Sequence, residues 1–562
     1  MKKWLSVLLA VCMLLSCLSG CFGGGTVITP TQTAPTVQTT EPEGSAQWEE
    51  TTQPEETDST KPALEYVLTE ADVDEFYRLL DESEKLALES TDYETVDEIT
   101  NTLGDQLYYL SDQSHIAYVL HCCDLTDEQA SETYLSSVEL VTQASDDYME
   151  MVRRVYLSDA PTKEQMFAEW TEAEIAQMLA YDSKIMELSQ RNAELQVAYR
   201  ELDAESMAQD MIPLYNELVR NNNEIAKLNG YDNYYEYAYK VGYARDYGTE
   251  QVSQMRKLVA QYLAPVCADA YNGFAETFGA LGTLDQMKIS SIMYDDYDVA
   301  MGHPLEDYLA SLPESMKNVM EGALTGEDVW FSKNVNALEG AFTTQFGDRS
   351  FCFFGPGYQN SMTVAHELGH YYGGQYTDTS EIPLDLAELQ SQGNEWLMMA
   401  WLEGELDQEV YEALLAYKLY ENLTTILICT IIDEFEQQVY THPNAGNLTL
   451  AQYETLMEDI CVNYGGVDYI GSCVTDVQAY WKLVVLESPV YYISYGVSLV
   501  SAMNLYTMGQ TDLEKAQTVY MALIEELDCE KGFLENIAEA GLPGPFDSGV
   551  YEKLRENVQN NV

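Results

Sequence analysis

Thr363-Val364-Ala365-His366-Glu367-Leu368-Gly369-His370-Tyr371-Tyr372 is the stretch from which the rest of the chain can be read. It contains His-Glu-x-x-His. On a helix, residues four apart stack on one face, roughly 6 Å apart along the axis. Two imidazoles so placed can bind one Zn²⁺ together, and Glu367 beside them can take a proton from a water activated there. The flanks suit a helix: Asn360 or Ser361 can cap its start, and Gly373-Gly374 stops it. A catalytic zinc needs three protein ligands and one open position. A histidine at metzincin spacing would fall at Tyr376, which excludes that class.

The third ligand is expected on the next helix, which opens around Pro383 and reads Leu384-Asp385-Leu386-Ala387-Glu388-Leu389-Gln390-Ser391-Gln392-Gly393-Asn394-Glu395. Glu388 and Glu395 are two turns apart and share a face. Packed antiparallel to the first helix, that face can reach the metal. Glu388 is the predicted ligand, with Glu395 accepting the free N–H of a ligand histidine. The reverse assignment, Glu395 as ligand, stays open. Upstream, Val329-Trp330-Phe331, Gly340 to Phe346 and Ser350 to Phe354 are short, aromatic and β-branched, and read as strands, with a hairpin turn at Gly347-Asp348. Such a sheet offers an edge to which an extended peptide can hydrogen-bond, and Gly340-Ala341 has little side chain in the way.

The 562 residues are 46% hydrophobic, enough for a large core, and recurring Glu, Leu, Ala, Gln and Met favour a mainly α protein. A net charge of −67 argues against a nucleic-acid partner. From Leu64 to about Val266 the pattern is helical. One helix opens at Thr69, the next carries Leu107, Leu110, His115, Tyr118 and Val119, a third runs from Asp127 to Tyr156, and a long one covers Thr162 to Glu201. His115 and His121 lack carboxylates at ligand spacing and are expected in the core or at the surface. The aromatic stretch Leu228 to Tyr237 reads as a helix start after a glycine turn.

The first residues set the compartment. Lys2 and Lys3 precede an apolar run, Trp4 to Leu18, that ends in Leu18-Ser19-Gly20-Cys21. This resembles a bacterial lipobox, which makes residues 1–20 a signal peptide and Cys21 an acylated first residue. Several acyl chains anchor firmly, at about 0.8 kcal/mol per buried methylene. Residues 21–62, rich in Thr, Pro and Glu, read as a disordered tether to an extracytoplasmic, membrane-attached domain spanning 63–562. The later cysteines show no CxxC spacing and read as small core residues, with Cys461 and Cys473 a conceivable disulfide pair.

His-Glu-Leu-Gly-His followed by Leu386-Ala387-Glu388 and Asn394-Glu395 resembles the oligoendopeptidase F branch of the thimet-oligopeptidase-like zinc peptidases. The Gly340-Ala341-Phe342 strand, the Leu228 to Tyr237 segment and Ser488-Pro489-Val490-Tyr491-Tyr492-Ile493-Ser494-Tyr495 are similar to the same family, in the same order along the chain. The resemblance implies a helical fold of two lobes, about 63–325 and 326–562, flanking a deep channel. It implies one Zn²⁺ held by His366, His370 and Glu388, Glu367 as general base, and cleavage of short peptides by a monomer. Ser488-Pro489 is a good helix start, which would set Tyr491, Tyr492 and Tyr495 in its first turns. Family members place such phenols against the developing oxyanion, and Tyr492 and Tyr495 are the favoured pair.

The chain also departs from the family. A histidine usual shortly before the Pro-aromatic segment is missing, Val484 standing at its position. Losing one oxyanion donor costs about 2.7–4 kcal/mol in the barrier. Lys482 is a candidate substitute. The alternative is a catalytically weakened lipoprotein that captures peptides in the same cleft.

Overall fold

The computed structural model describes residues 62–168, 183–200, 207–293, 304–347, 349–377, 382–466 and 481–561, with single positions between these spans. The expected signal peptide, lipidated Cys21 and nearly all of the tether lie outside them. The described chain is mainly α-helical with one three-stranded sheet.

Three amphipathic helices come first: α1 (Glu70–Glu89), α2 (Tyr93–Cys122) and α3 (Glu128–Leu157). Asp72 accepts hydrogen bonds from the Thr69 backbone N–H at 2.9 Å and hydroxyl at 2.6 Å, fixing the start of α1. The Asp127 carboxylate caps α3 through Gln129 N and Ala130 N. Their apolar faces meet around Phe76, Leu107, Tyr148 and Val152, forming a core of their own. The helix expected from Thr162 to Glu201 is not continuous. A single turn at Lys163–Met166 ends at Phe167, and the next described helix is Ser183–Arg200.

The sheet consists of β1 (Val329–Phe331), β2 (Ala341–Phe346) and β3 (Arg349–Phe354) in the order β1-β3-β2. β1 runs parallel to β3 and β2 antiparallel, with Thr343 opposite Cys352. Gly347 turns the hairpin at φ +57°, a backbone region that favours glycine. Helix α2 packs on this sheet. Tyr118 lies 5.0 Å from the Phe342 ring, and His115 Nδ1 lies 3.0 Å from the Gln345 carbonyl oxygen. His115 is therefore a core histidine, as expected. Since Gly355 N–H donates to Gly340 O at 2.8 Å, strand alternation turns the backbone groups of Ala341, Thr343 and Gln345 away from β3.

The His-Glu-x-x-His motif lies on α4 (Ser361–Gly374), followed by α5 (Leu384–Leu402), α6 (Gln408–Tyr440) and α7 (Ile493–Gly509). They share one large core with residues from Leu195 to Val558. Helix α6 is long and apolar enough to cross a membrane, but 94% of its most apolar window is buried inside the protein, as a core helix is. The aromatic stretch after Gly230 (φ +84°) is fastened to α6 through polar atoms. Tyr235 and Tyr239 donate to Asp433 at 3.0 and 2.6 Å, and Arg256 pairs with the same carboxylate. A carboxylate buried as Asp433 is would be costly without such partners. Cys122, Cys123, Cys267, Cys352, Cys429 and Cys461 are buried thiols, and Cys473 lies outside the described residues.

Candidate metal centre

Helix α4 starts where its cap allows. The Asn360 side chain accepts the Thr363 N–H at 2.9 Å. Four-residue spacing then stacks His366 and His370, ring centroids 5.1 Å apart. Their partner helix comes unusually close. A Cβ at Gly369 would lie 2.6 Å from the Gln390 carbonyl oxygen and 2.7 Å from Ser391 Cα. Gly373 faces the Gln390 side chain with no more room. Only glycine permits this crossing. Asn394 adds a stitch, donating to Ala365 O at 2.6 Å while accepting from the Tyr308 hydroxyl at 2.7 Å.

The crossing brings Glu388 of α5 over the two histidines. One donor atom from each of His366, His370 and Glu388 lies within 4.8 Å of the others. Glu388 Oε2 is buried without a hydrogen-bond partner and stands 4.0 Å from His366 Nε2. An orphaned carboxylate oxygen aimed at two imidazole nitrogens is costly unless a cation completes the group. The residues thus fit a tetrahedral metal ion with one position left open.

Behind the donors runs a charged chain. Glu395 Oε1 sits 2.7 Å from His366 Nδ1, and its other oxygen takes a 2.5 Å hydrogen bond from Lys418 Nζ. Lys418, on α6, also donates to Glu421 at 2.7 Å. Burial opposes charge on Glu395, yet Lys418 and His366 outweigh it and hold the carboxyl down to about 2. Burial likewise disfavours a charged His366, but Glu395, aided by Glu367 and Glu388, holds it up to about 9. His370 is pushed down to about 3 by burial and by the charge on His366. Burial, then the nearby Glu367, lifts Glu388 to about 7, against the pull of His366.

Glu367, only 2% exposed, projects toward β2. Thr343 donates to its Oε2 at 2.7 Å. Burial raises the Glu367 carboxyl, while Thr343 and His366 lower it. A carboxyl raised in this way is a group that can exchange a proton.

No protein-family model and no curated protein sequence matches the chain. Solved structures do. Pz peptidase A, solved with an inhibitor, superposes with a TM-score of 0.67 at 20% identity, over 88% of this chain and 97% of that one. A Bacillus anthracis str. Ames protein assigned as an oligoendopeptidase F gives 0.66 at 16% identity, over 87% and 95%. The chain has the oligoendopeptidase F fold. The M32 carboxypeptidase of Deinococcus radiodurans R1 is a more distant match, with a TM-score of 0.51 at 14% identity over 87% and 99%.

Within this oligoendopeptidase F fold, the C-terminal tyrosines are arranged differently from expectation. The helix does not start at Ser488-Pro489. Val490 has φ +62°, which no helix accommodates, and α7 begins only at Ile493. Tyr491 lies 3.5 Å from Glu388 Oε1 and 3.2 Å from the Tyr495 hydroxyl. Tyr495 is near enough to the Glu388 carboxyl to help lower it. Tyr492 is half-buried, with its ring 5.8 Å from that of Tyr491 and 5.9 Å from that of Tyr495. Tyr491 thus joins Tyr495 at the carboxylate, ahead of the first turn of α7. Lys482 pairs with Glu454 at 3.0 Å, and Val484 is buried.

Two neighbours of the site had little signal in the sequence. Lys418 stood out only as a lysine within the apolar run Leu414 to Leu419, with Glu421 one turn on. Thr343 carried no signal beyond its place in a strand.

Proposed function

We propose that this chain is a zinc-dependent endopeptidase that hydrolyses short peptides. The observation that carries the reading is the orphaned Glu388 oxygen facing His366 and His370. A zinc ion bound there supplies Lewis acidity to the attacking water and to the scissile carbonyl. Glu367, aimed by Thr343, accepts a proton from that water and returns it to the departing amine. Tyr495, with Tyr491, donates to the oxygen that gains charge, and Tyr492, with its ring 5.9 Å from that of Tyr495, is the second phenol expected from the sequence. Glu395 holds the Nδ1 proton of His366, keeping Nε2 free as a donor atom. The outward backbone groups of Ala341 and Thr343 give an extended peptide an edge to pair with. The relatives' names support peptide hydrolysis, since each is a peptidase by name.

The lobes flanking a channel, the monomeric state, the lipid on Cys21 and an extracytoplasmic location belong to the same proposal and rest on the sequence. The binding-only alternative rests on Val484 in place of a histidine. Glu367→Gln separates the two. Zinc content should persist while turnover of quenched short peptides falls by about 10²–10⁴-fold. Parental turnover in that variant, or none in the zinc-loaded parent, would reject the mechanism.

A further inference from the structure

Among the described residues, two that are not glycine adopt a left-handed backbone: Ala244 at φ +46° and Val490 at φ +62°. For a β-branched valine this is a genuine outlier. They are far apart in sequence, yet they meet at one contact. Arg245, next to Ala244, directs its Nη2 at Val490 O (3.0 Å), Tyr491 O (3.3 Å) and Ser494 Oγ (2.9 Å). Tyr243 donates to Pro489 O at 2.8 Å, and the Val490 N–H donates to Glu436 Oε1 at 2.8 Å. Three successive carbonyls and one N–H of the corner are thus gripped.

The guanidinium grips the corner through Nη2, its Nε and Nη1 having no hydrogen-bond partner among the described residues. It is 2% exposed and lies 4.5 Å from the Tyr239 ring centroid and 4.4 Å from that of Tyr243. A strained corner persists only where its surroundings over-determine it, and such corners gather at functional sites. This one carries the tyrosine whose hydroxyl lies beside Glu388. A valine with ordinary φ would bring the chain into Tyr491 along a different path.

We propose that Arg245 is a positioning residue for the oxyanion tyrosines. With Tyr243 and Glu436 it locks the corner at 488–491, so that the Tyr491 and Tyr495 hydroxyls face Glu388. The proposal rests on the peptidase reading of the metal centre.

The test uses the zinc-loaded full chain and its variants Arg245→Met, Val490→Gly and the double variant. Hydrogen–deuterium exchange over 488–496 is read beside steady-state kinetics and zinc content. In Arg245→Met, exchange should rise at 488–496 but not across α4, and zinc content should stay at the parental level. Its kcat should fall about 100-fold with KM little changed, as expected for misplaced catalytic groups. Adding Val490→Gly should restore part of kcat, because glycine adopts this corner without a clamp. A purely structural arginine would lower thermal stability and raise exchange generally, leaving kcat per zinc-loaded molecule unchanged; that result overturns the proposal. So does parental exchange at 488–496 in Arg245→Met, a readout that needs no turnover. Absence of hydrolysis by the parent would instead sink the peptidase reading, with exchange still judging the lock. Should Arg245→Met fail to fold, Tyr243→Phe removes the bond to Pro489 and leaves Arg245 in place. It should shift exchange and kcat in the same directions by less, and parental values of both would overturn the lock.

Discussion

Gly369→Ala probes the contact on which the metal centre depends. The added methyl would sit 2.6 Å from Gln390 O and 2.7 Å from Ser391 Cα, where ordinary contacts begin at 3.4 Å. Both obstacles are backbone, so neither can swing aside. The helices must part by roughly 0.8 Å, and overpacking of this kind costs about 1–3 kcal/mol. Glu388 lies one turn from Ser391 on the displaced helix, so its carboxylate recedes from the histidines by a similar amount. Metal sites tolerate displacements of only about 0.2 Å, so a zinc affinity about 10–100-fold weaker is expected. Competition against a chromophoric chelator gives that affinity, and thermal unfolding of the metal-free protein gives the packing cost. Gly322→Ala is the control. It lies in the helix Glu314–Thr325 with nothing within 4 Å of its would-be Cβ, and should stabilise by about 0.5–1 kcal/mol. Parental zinc affinity together with parental stability in Gly369→Ala would show that α4 and α5 do not meet as described, and the reasoning for the site would fail.

Lys418→Met should weaken zinc binding about 10–100-fold by releasing Glu395 from its cation, and should destabilise by about 3–5 kcal/mol because Glu395 and Glu421 stay buried; chelator competition and urea unfolding measure the two. Zinc affinity should rise with pH. His366 near 9 and Glu388 near 7 both bind protons that the metal must displace, so calorimetry in buffers of different ionisation enthalpy should find proton release on binding that shrinks as pH passes about 9. The sign for the metal-free protein is opposite. Stability from His366, whose folded value lies above its ordinary 6.5, is complete below that value and is lost as pH rises through about 9, which a Tm series with chelator present would record. Thr343→Val removes a hydrogen bond that lowers the Glu367 carboxyl, so the acidic limb of the kcat/KM profile should move upward with zinc content unchanged.

Local signals carried far in this chain. The i, i+4 histidines, the Asn360 cap, the three strands and the Glu388/Glu395 pair each depend on a short-range periodicity or an end signal, and the fold retains all of them. The helix expected over Thr162 to Glu201 failed because composition sets propensity and not continuity. The start expected at Ser488-Pro489 failed because tertiary contacts from Arg245, Tyr243 and Glu436 hold Val490 where no local rule would place it. Nor could any window of sequence join Thr343 to Glu367 or Lys418 to Glu395, since each pair lies on separate elements.

By itself, then, the sequence determined which helix carries the two imidazoles and which neighbouring helix offers carboxylates, because residues a few positions apart share a face whatever surrounds them. Only the tertiary structure decided that Glu388 faces the histidines while Glu395 stands behind one of them, and that Tyr491 turns toward the same point. Those choices depend on how closely two backbones can approach at a glycine and on which buried charges find partners, and both are properties of the packed chain.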